Sequence, residues 1–523
     1  MPDTDERLNV FPPVTKSEWV AKVEADLKGA SFDGLRSEAP GGPVLEPLYS
    51  AEDAEGVGSP GVPGAFPFIR GAAPLGGWVI RQEYDEPRPS VCKEMIQRDL
   101  DRGVEAILLR LGPRRGCRVL TIDALDELLG ALDLRRTSVD LDGGADALAT
   151  ASGLLAVAQR RGVPYDELAG CFGFDPVCLL AGEGAVQGGL QARFAEMADL
   201  AAWCSQHAPG LRAVGVSGDP WGSSGASVSQ ELAYTIATGL EYLRRLTEAG
   251  LSVDQAARQI RFSYAVSSDF FTQIAKLRAA RWLWAKVVQT AGGEPTSAAM
   301  QIHARTSRFT KTQRDPWVNM LRATAECTAA VFGGAQSIAT LPFDSAIGSA
   351  DELSQRVARN TQVVLREESH LGKVADPAGG SWFVERLTDS LARAAWEALR
   401  SIEAAGGIIS ALGSGKVLDS VATVGDELEK SICKRKTPIV GVSEFPNLEE
   451  QQVEREPVSG KEIQALLKAS LESLDLAAHR DRLLELSRKV RDEGRALGDL
   501  TKACLDASTQ GTIKRPADAY RFA

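Results

Sequence analysis

RTSRFTKTQRDPWVNMLRATAECTAAVFGGAQSIATLPFD, residues 305–344, decides the architecture. Asp315-Pro316 is a turn-type pair, and Asp315 is placed to cap the helix that follows. From Trp317 to Phe332 apolar residues recur at intervals of three and four, the pattern of a helix with one buried face. Gly333-Gly334 stops that helix, and Ser337–Leu341 resumes as a short apolar strand. A second amphipathic helix runs from Leu353 to about Glu368. The unit is helix–strand–helix, and its strand opens at the C-terminal end into Pro342-Phe343-Asp344. In a barrel of parallel strands that end carries the chemistry.

Working outward, the same alternation fills the preceding chain. Strand-like runs occur at Trp78–Glu83, Glu105–Leu111, Thr137–Leu141, Gly170–Phe174, Leu211–Ser217, Ile260–Val266 and Met300–Thr306. Helical patterns follow them at about 90–102, 121–132, 145–162, 190–207, 227–249, 269–291 and 315–332. Strands alternating with helices imply a parallel sheet with the helices outside. Eight such turns over about 300 residues predict a closed (β/α)8 TIM barrel, an α/β fold, rather than an open doubly wound sheet. No GxGxxG follows the first strand, and the Gly222–Gly225 loop lacks the lysine of a phosphate loop, so it reads as a plain turn.

Composition narrows the function classes. The chain has 523 residues and a formal net charge of −11, which argues against nucleic acid as a partner. No apolar run is long enough to span a membrane, and the N-terminus lacks the layout of a secretory signal, so the expected localisation is cytoplasmic. Eight cysteines are scattered without a CxxC pair, and the four histidines are far apart in sequence. Reduced, mostly buried thiols and no metal centre are the expectation. Residues 1–45 read as an arm, with a short helix from Ser17 to about Lys28 that carries Trp19, Val20, Val23 and Leu27 on one face and ends at Gly29. Such a helix is too small to bury that face alone and must pack on the body or on another chain. After the barrel, Trp382–Ala405 is a further helix. The run EFPNLEEQQVEREPVSGKE (444–462) is linker-like, and Leu466 to about Ala507 is an amphipathic helix with a solvated charged face.

Long segments of the chain resemble the methylmalonyl-CoA mutases, cobalamin-dependent isomerases that rearrange acyl-CoA skeletons by radical chemistry. Besides QRDPWVNMLRATAE and FGGAQSIAT, the likeness is carried by PFIRG (67–71), VIRQ (79–82) and QELAYTIATGLEYLRRLTEAGLSVD (230–254). It continues in IAKLRAARWLWAK (274–286), RVARNTQVVLREES (356–369) and VADPAGGSWFVE (374–385). The resemblance covers most of residues 45–445 and implies a (β/α)8 barrel with CoA threaded along its axis, in agreement with the strand count.

The departures from the family pattern cluster at the strand mouths. Where catalytic members read IRQYAG, with a substrate-touching tyrosine, this chain has Glu83. A threonine-methionine-tyrosine run beside the CoA tail is missing from the shortened Gly71–Gly77. The strand-four pattern GTIQND has become Gly170-Cys171-Phe172-Gly173-Phe174-Asp175. In SGYHMQEAGA a tyrosine-histidine pair flanks the reacting radical; here the run is Ser217-Gly218-Asp219-Pro220-Trp221-Gly222-Ser223-Ser224-Gly225-Ala226. Asp219 and Pro220 therefore replace the two rings, and proline offers no donor. HCQTSG is replaced by His303-Ala304-Arg305-Thr306-Ser307-Arg308, and HTNSFDEA by Ala339–Ala346. Among Glu83, Asp219 and Arg305 no replacement acid or base stands out, and each reads as an ordinary loop charge. No DxHxxG, the cobalt-ligating pattern, occurs.

The resemblance therefore implies the small, or beta, subunit of a heterodimeric bacterial methylmalonyl-CoA mutase. It would have no catalytic residues, bind no cofactor itself, and pair with a catalytic subunit that carries adenosylcobalamin. GVSEFPN (441–447) and the arm fit that subunit, although small subunits usually retain a degenerate cobalamin-type domain that this chain lacks. The alternative is the catalytic barrel of a split acyl-CoA mutase whose cobalamin resides on a separate chain. The expected division is an arm (1–45), an acyl-CoA-mutase-type barrel (46–420), and a linker with a helical C-terminal extension (421–523).

Overall fold

In the computed structural model the described residues are 14–38, 41–112, 116–119, 121–130 and 132–451, with positions 12, 453, 455, 461, 462, 464 and 465. The amphipathic helix expected from Leu466, with His479 and Cys504, lies outside them.

The barrel strands are β1 (Val79–Tyr84), β2 (Ala106–Arg110), β3 (Ser138–Asp142), β4 (Gly170–Phe174), β5 (Leu211–Ser217), β6 (Ile260–Val266), β7 (Ile302–Thr306) and β8 (Ser337–Ala339). They close in sequence order, and β8 pairs with β1, with every neighbour parallel. This is the expected (β/α)8 barrel. Most strand positions are buried on both faces, so the strands appear in the sequence as nearly continuous apolar runs. Gly173 permits the close pairing of β4 with β3: its φ is +64°, and a Cβ there would stand 2.3 Å from the Leu141 carbonyl oxygen.

Outside the strands lie α1 (Pro89–Leu100), α2 (Ile122–Leu129), α3 (Ala147–Arg160), α4 (Leu190–His207), α5 (Val228–Glu248), α6 (Phe270–Thr290), α7 (Val318–Phe332) and α8 (Glu352–Glu367). Their starts follow local chemistry. Thr121 accepts from the Ala124 amide, Ser227 and Gln230 form a capping box at α5, and Asp351 accepts from the Ser354 amide. Asp315 does not cap α7 as expected. It lies at φ +44°, the helix begins after Trp317, and the Asp315 amide donates instead to Glu450 Oε1 at 2.6 Å.

A further helix, α9 (Trp382–Ala404), crosses the outside of α5 and α6, followed by α10 (Gly407–Gly413) and α11 (Lys416–Cys433). Residue 420 thus falls within α11. The α9 start is held by charge: Arg278 of α6 contacts Asp376 at 3.2 Å and Glu385 at 2.7 Å, and Arg70 reaches the same Asp376 at 2.8 Å. Two further cations on α6 are also buried and partnered. Lys276 pairs with Glu231 at 2.9 Å, while Arg281 donates to the Phe68 and Ile69 carbonyls at 2.8 and 3.0 Å. Burial outweighs the attraction of Asp376 and pulls the Arg281 guanidinium down to about 9.

The arm helix (Lys16–Asp26) is capped by Thr15 and Glu18 and buries none of its residues. Trp19 meets Phe32 edge-on at 6.3 Å, and Lys16 bonds Asp53 at 2.5 Å. A groove of about 1030 Å³ separates this helix from α9 at Arg386–Ser390. A two-stranded antiparallel ribbon, Ser37–Glu38 with Val44–Leu45, continues the arm. Further on, Arg322 of α7 donates to the Val440 carbonyl at 2.6 Å, and Arg455 pairs with Asp344 at 2.7 Å and Asp351 at 2.9 Å. Five of the seven described cysteines are buried. No described helix is long and apolar enough to cross a membrane.

Candidate functional site

Alternation along parallel strands sends every second residue toward the barrel axis. In an ordinary barrel those positions are bulky and branched. Here many are charged. Deep in the barrel, Asp140 of β3 is fully buried, and its Oδ2 lies 2.6 Å from both Arg81 of β1 and Arg261 of β6. Arg81 also donates to Ser337 Oγ at 2.9 Å and to the Ile107 carbonyl at 2.8 Å. Burial would raise the Asp140 carboxyl, but the two guanidiniums hold it below its ordinary value.

One layer higher, Arg305 of β7 contacts Glu83 of β1 at 3.4 Å and pairs closely with Asp219 beyond β5. Arg110 of β2 stands 3.6 Å from Glu83 and 3.2 Å from Asp142. Burial acts to raise both the Glu83 and Asp219 carboxyls, yet Arg305 overrides it and both lie low, Glu83 well below the usual range. His303, between the layers, places Nδ1 3.1 Å from Ser337 Oγ, and burial lowers its imidazole. Its Nε2 stands 3.8 Å from Glu83, which acts against that lowering.

A cavity of about 170 Å³ remains at the mouth, bordered by Glu83, Arg110, Asp142, Asp175, Arg261 and Arg305. Asp175 is the group there that titrates near neutrality. It accepts from the Ser217 amide at 2.8 Å, the Cys178 amide at 3.0 Å and the Tyr242 hydroxyl. Burial outweighs these bonds and pushes it up to about 7.

Glu83, Asp219 and Arg305 are thus one ion-paired group, buried at Arg305 and partly open at Asp219, whose side chain is 34% exposed, which corrects their reading as separate loop charges. Pro220 lies in a helical turn, Asp219–Gly222, whose Trp221 packs on Tyr234 at 5.3 Å between ring centres; Gly222–Gly225 is accordingly only partly a plain turn. The strand-eight mouth presents Leu341, Phe343 and Asp344, and the buried Asp344 is engaged by Arg455. Sequence reasoning missed Arg81, Arg110, Asp140, Asp142 and Arg261. For Arg81, Asp140 and Asp142 the signal was available: charges spaced by two within a strand, hence on one face.

The arrangement places opposite charges together across the axis. It offers no hydroxyl, imidazolium or aromatic ring at the position of the family's tyrosine-histidine pair. Among the described residues no group of three or more histidine, cysteine or acidic side chains could hold a metal ion.

Comparison with known proteins agrees with this scaffold. The profile described as methylmalonyl-CoA mutase matches residues 110–519. A methylmalonyl-CoA mutase small subunit of Streptomyces virginiae is 43% identical over 459 residues, covering 86% of this chain and 73% of that one. The small subunit of Propionibacterium freudenreichii subsp. shermanii is 33% identical over 95% of this chain and 77% of its own length. A methylmalonyl-CoA mutase of Escherichia coli is 30% identical over 82% of this chain and 64% of its own. The barrel, the signature segments and these relatives together place the chain in the methylmalonyl-CoA mutase family.

Proposed function

We propose that this chain is the non-catalytic small subunit of a cobalamin-dependent methylmalonyl-CoA mutase, pairing with a catalytic chain and stabilising it. The observation that carries the reading is the pair of charge layers across the barrel axis. A CoA ester threaded there would have to displace Arg81–Asp140–Arg261 and Glu83–Arg305–Asp219. The remaining 170 Å³ is below the roughly 300 Å³ of the smaller ligand pockets. Breaking either group leaves a buried charge without its partner, at a cost of several kcal/mol.

The described residues also do not fit adenosylcobalamin. His303 is bonded to Ser337 and enclosed in the barrel, so it is not placed to ligate a cobalt ion. No reaction step is assigned to this chain. Its contribution would be made through surfaces such as the arm helix, whose residues are all at least partly exposed. Small subunit in the names of the relatives supports a paired assembly, and a cytoplasmic location suits it.

Co-expression with the catalytic chain should give a stable one-to-one complex. The purified small chain alone should bind neither acyl-CoA nor adenosylcobalamin in equilibrium titrations. Recovery of free chains only would overturn the pairing. Saturable acyl-CoA binding, with turnover once a separate cobalamin-binding chain is supplied, would establish the split-mutase alternative instead.

A further inference from the structure

On the rim that carries the strand mouths, apolar side chains gather where no part of the proposed function uses them. Trp317, at the start of α7, is exposed, and Leu321, one turn on, is 71% exposed. The segment after α11 adds to them. It meets α7 where Arg322 reaches the Val440 carbonyl and Gly441 lies against Asp315, and it returns to Asp315 through Glu450. Between those contacts Phe445 is 85% and Leu448 92% exposed. Phe445 also has a φ of +51°, a left-handed backbone that is unfavourable for a bulky residue. Leu353, exposed in the first turn of α8, extends the group along the rim. Single apolar residues on a surface are ordinary, but a gathering of them marks a contact face.

The chain itself supplies a cover for this face. Arg455 is tied to Asp344 and Asp351 at the start of α8, and Glu462 stands 3.9 Å from Arg88 at the start of α1. Lys461, Glu462, Gln464 and Ala465 are helical, and the residues after Ala465 lie outside the described ones. The sequence carries a helical pattern onward from there. Ile463, Leu467, Leu471, Leu474 and Ala478 recur at three and four, while Lys468, Glu472 and Asp475 fall on the opposite side. A helix with such a stripe gains its stability by burying it. Reach is sufficient. Only α8 separates α1 from α7, about 16–20 Å at the usual spacing of packed helices. A helix over 461–478 is about 27 Å long. Being tethered, this segment meets the face at an effective concentration of about millimolar, which favours it over a second copy of the chain.

We propose that residues 461–478 fold back along the rim as a helical strap, from the start of α1 across Leu353 to Trp317, Leu321, Phe445 and Leu448. Its apolar stripe lies on that face, and Lys468, Glu472 and Asp475 face solvent. The strap is independent of pairing with a catalytic chain, so either can fail without the other.

The test uses the full chain with Leu321 replaced by the photoreactive residue p-benzoylphenylalanine. After irradiation and digestion, mass spectrometry should find adducts within 461–478. Mixing nitrogen-15-labelled with unlabelled chain separates links within one chain from links between two, and the expected links are within one. Hydrogen exchange gives a second readout without a probe. Leu321→Asp and Phe445→Ser, both at exposed positions, should each speed exchange of the 463–478 amides by about tenfold or more and leave the barrel strands unchanged. Adducts found only between two copies, or only with a co-expressed catalytic chain, would assign the face to those partners and overturn the strap. It is equally overturned if no adduct falls within 461–478, or if the 463–478 amides exchange alike in the parent and both variants.

Discussion

Arg70, Arg278, Asp376 and Glu385 on the barrel's flank can be set beside Glu83, Asp219 and Arg305 at its mouth. Both groups pair opposite charges brought from distant parts of the chain. The flank residues sit in PFIRG, IAKLRAARWLWAK and VADPAGGSWFVE, segments that carry the family likeness, and they converge around Asp376. The mouth residues sit where the chain departs from that likeness, and they are partners of one another. In the segments that carry the family likeness the buried charges find partners from other such segments, whereas at the mouth the charges pair with one another.

The strongest way to break the flank group is Asp376→Ala. It leaves Arg278 buried with only Glu385 and removes the Arg70 partner, and chemical denaturation should show a loss of about 3–5 kcal/mol. A loss no larger than that of an exposed ion pair would make the flank group incidental. At the mouth, Arg305→Met leaves Glu83 and Asp219 beside a cavity that water can enter. The expected loss is smaller, about 2–3 kcal/mol by the same measurement. Equal losses at the two sites would erase the contrast between a closed flank and a partly hydrated mouth.

Asp175 sharpens the comparison through pH. Its folded-state value of about 7 exceeds the unfolded aspartate value of about 3.9, so the native chain keeps a proton that the unfolded chain releases. Stability from this residue is full below about pH 4 and declines as pH rises toward 7, because the unfolded state binds fewer protons in that window. Asp175→Asn does not titrate and should gain on the parent by about 2 kcal/mol between pH 5 and pH 7. Parallel stability curves for the two chains would refute a neutral Asp175. The smallest effect is expected far from both groups: Trp19→Ala should cost less than about 1 kcal/mol of stability. The same change should nevertheless weaken capture of the catalytic chain about tenfold or more, measured by titration. Unchanged capture would remove the arm helix from the interface.

All eight strands were legible to within two residues, because strands buried on both sides write themselves as apolar runs bounded by turns. The cap predicted at Asp315 failed for a non-local reason. Gly441 lies close against its side chain and Glu450 takes its amide, both from a segment more than a hundred residues away. The mouth charges were misjudged for a related reason. Which guanidinium meets which carboxylate depends on closure of the barrel, and no local pattern pairs Arg305 with Glu83. That they point inward was nevertheless readable, since Arg81 and Glu83, Asp140 and Asp142, and His303 and Arg305 are each two apart in a strand.

The Arg81–Asp140–Arg261 contact spans strands that are not neighbours in the sheet, and the Glu83–Arg305–Asp219 contact does the same one layer above. Hydrogen bonds between adjacent strands resist peeling at a seam. These contacts act as rivets through the diameter, so no single seam can part without straining strands on the opposite side. Opening of the cylinder is therefore coupled to its global unfolding, and amide protons of β1, β3 and β6 should exchange with solvent only through that event.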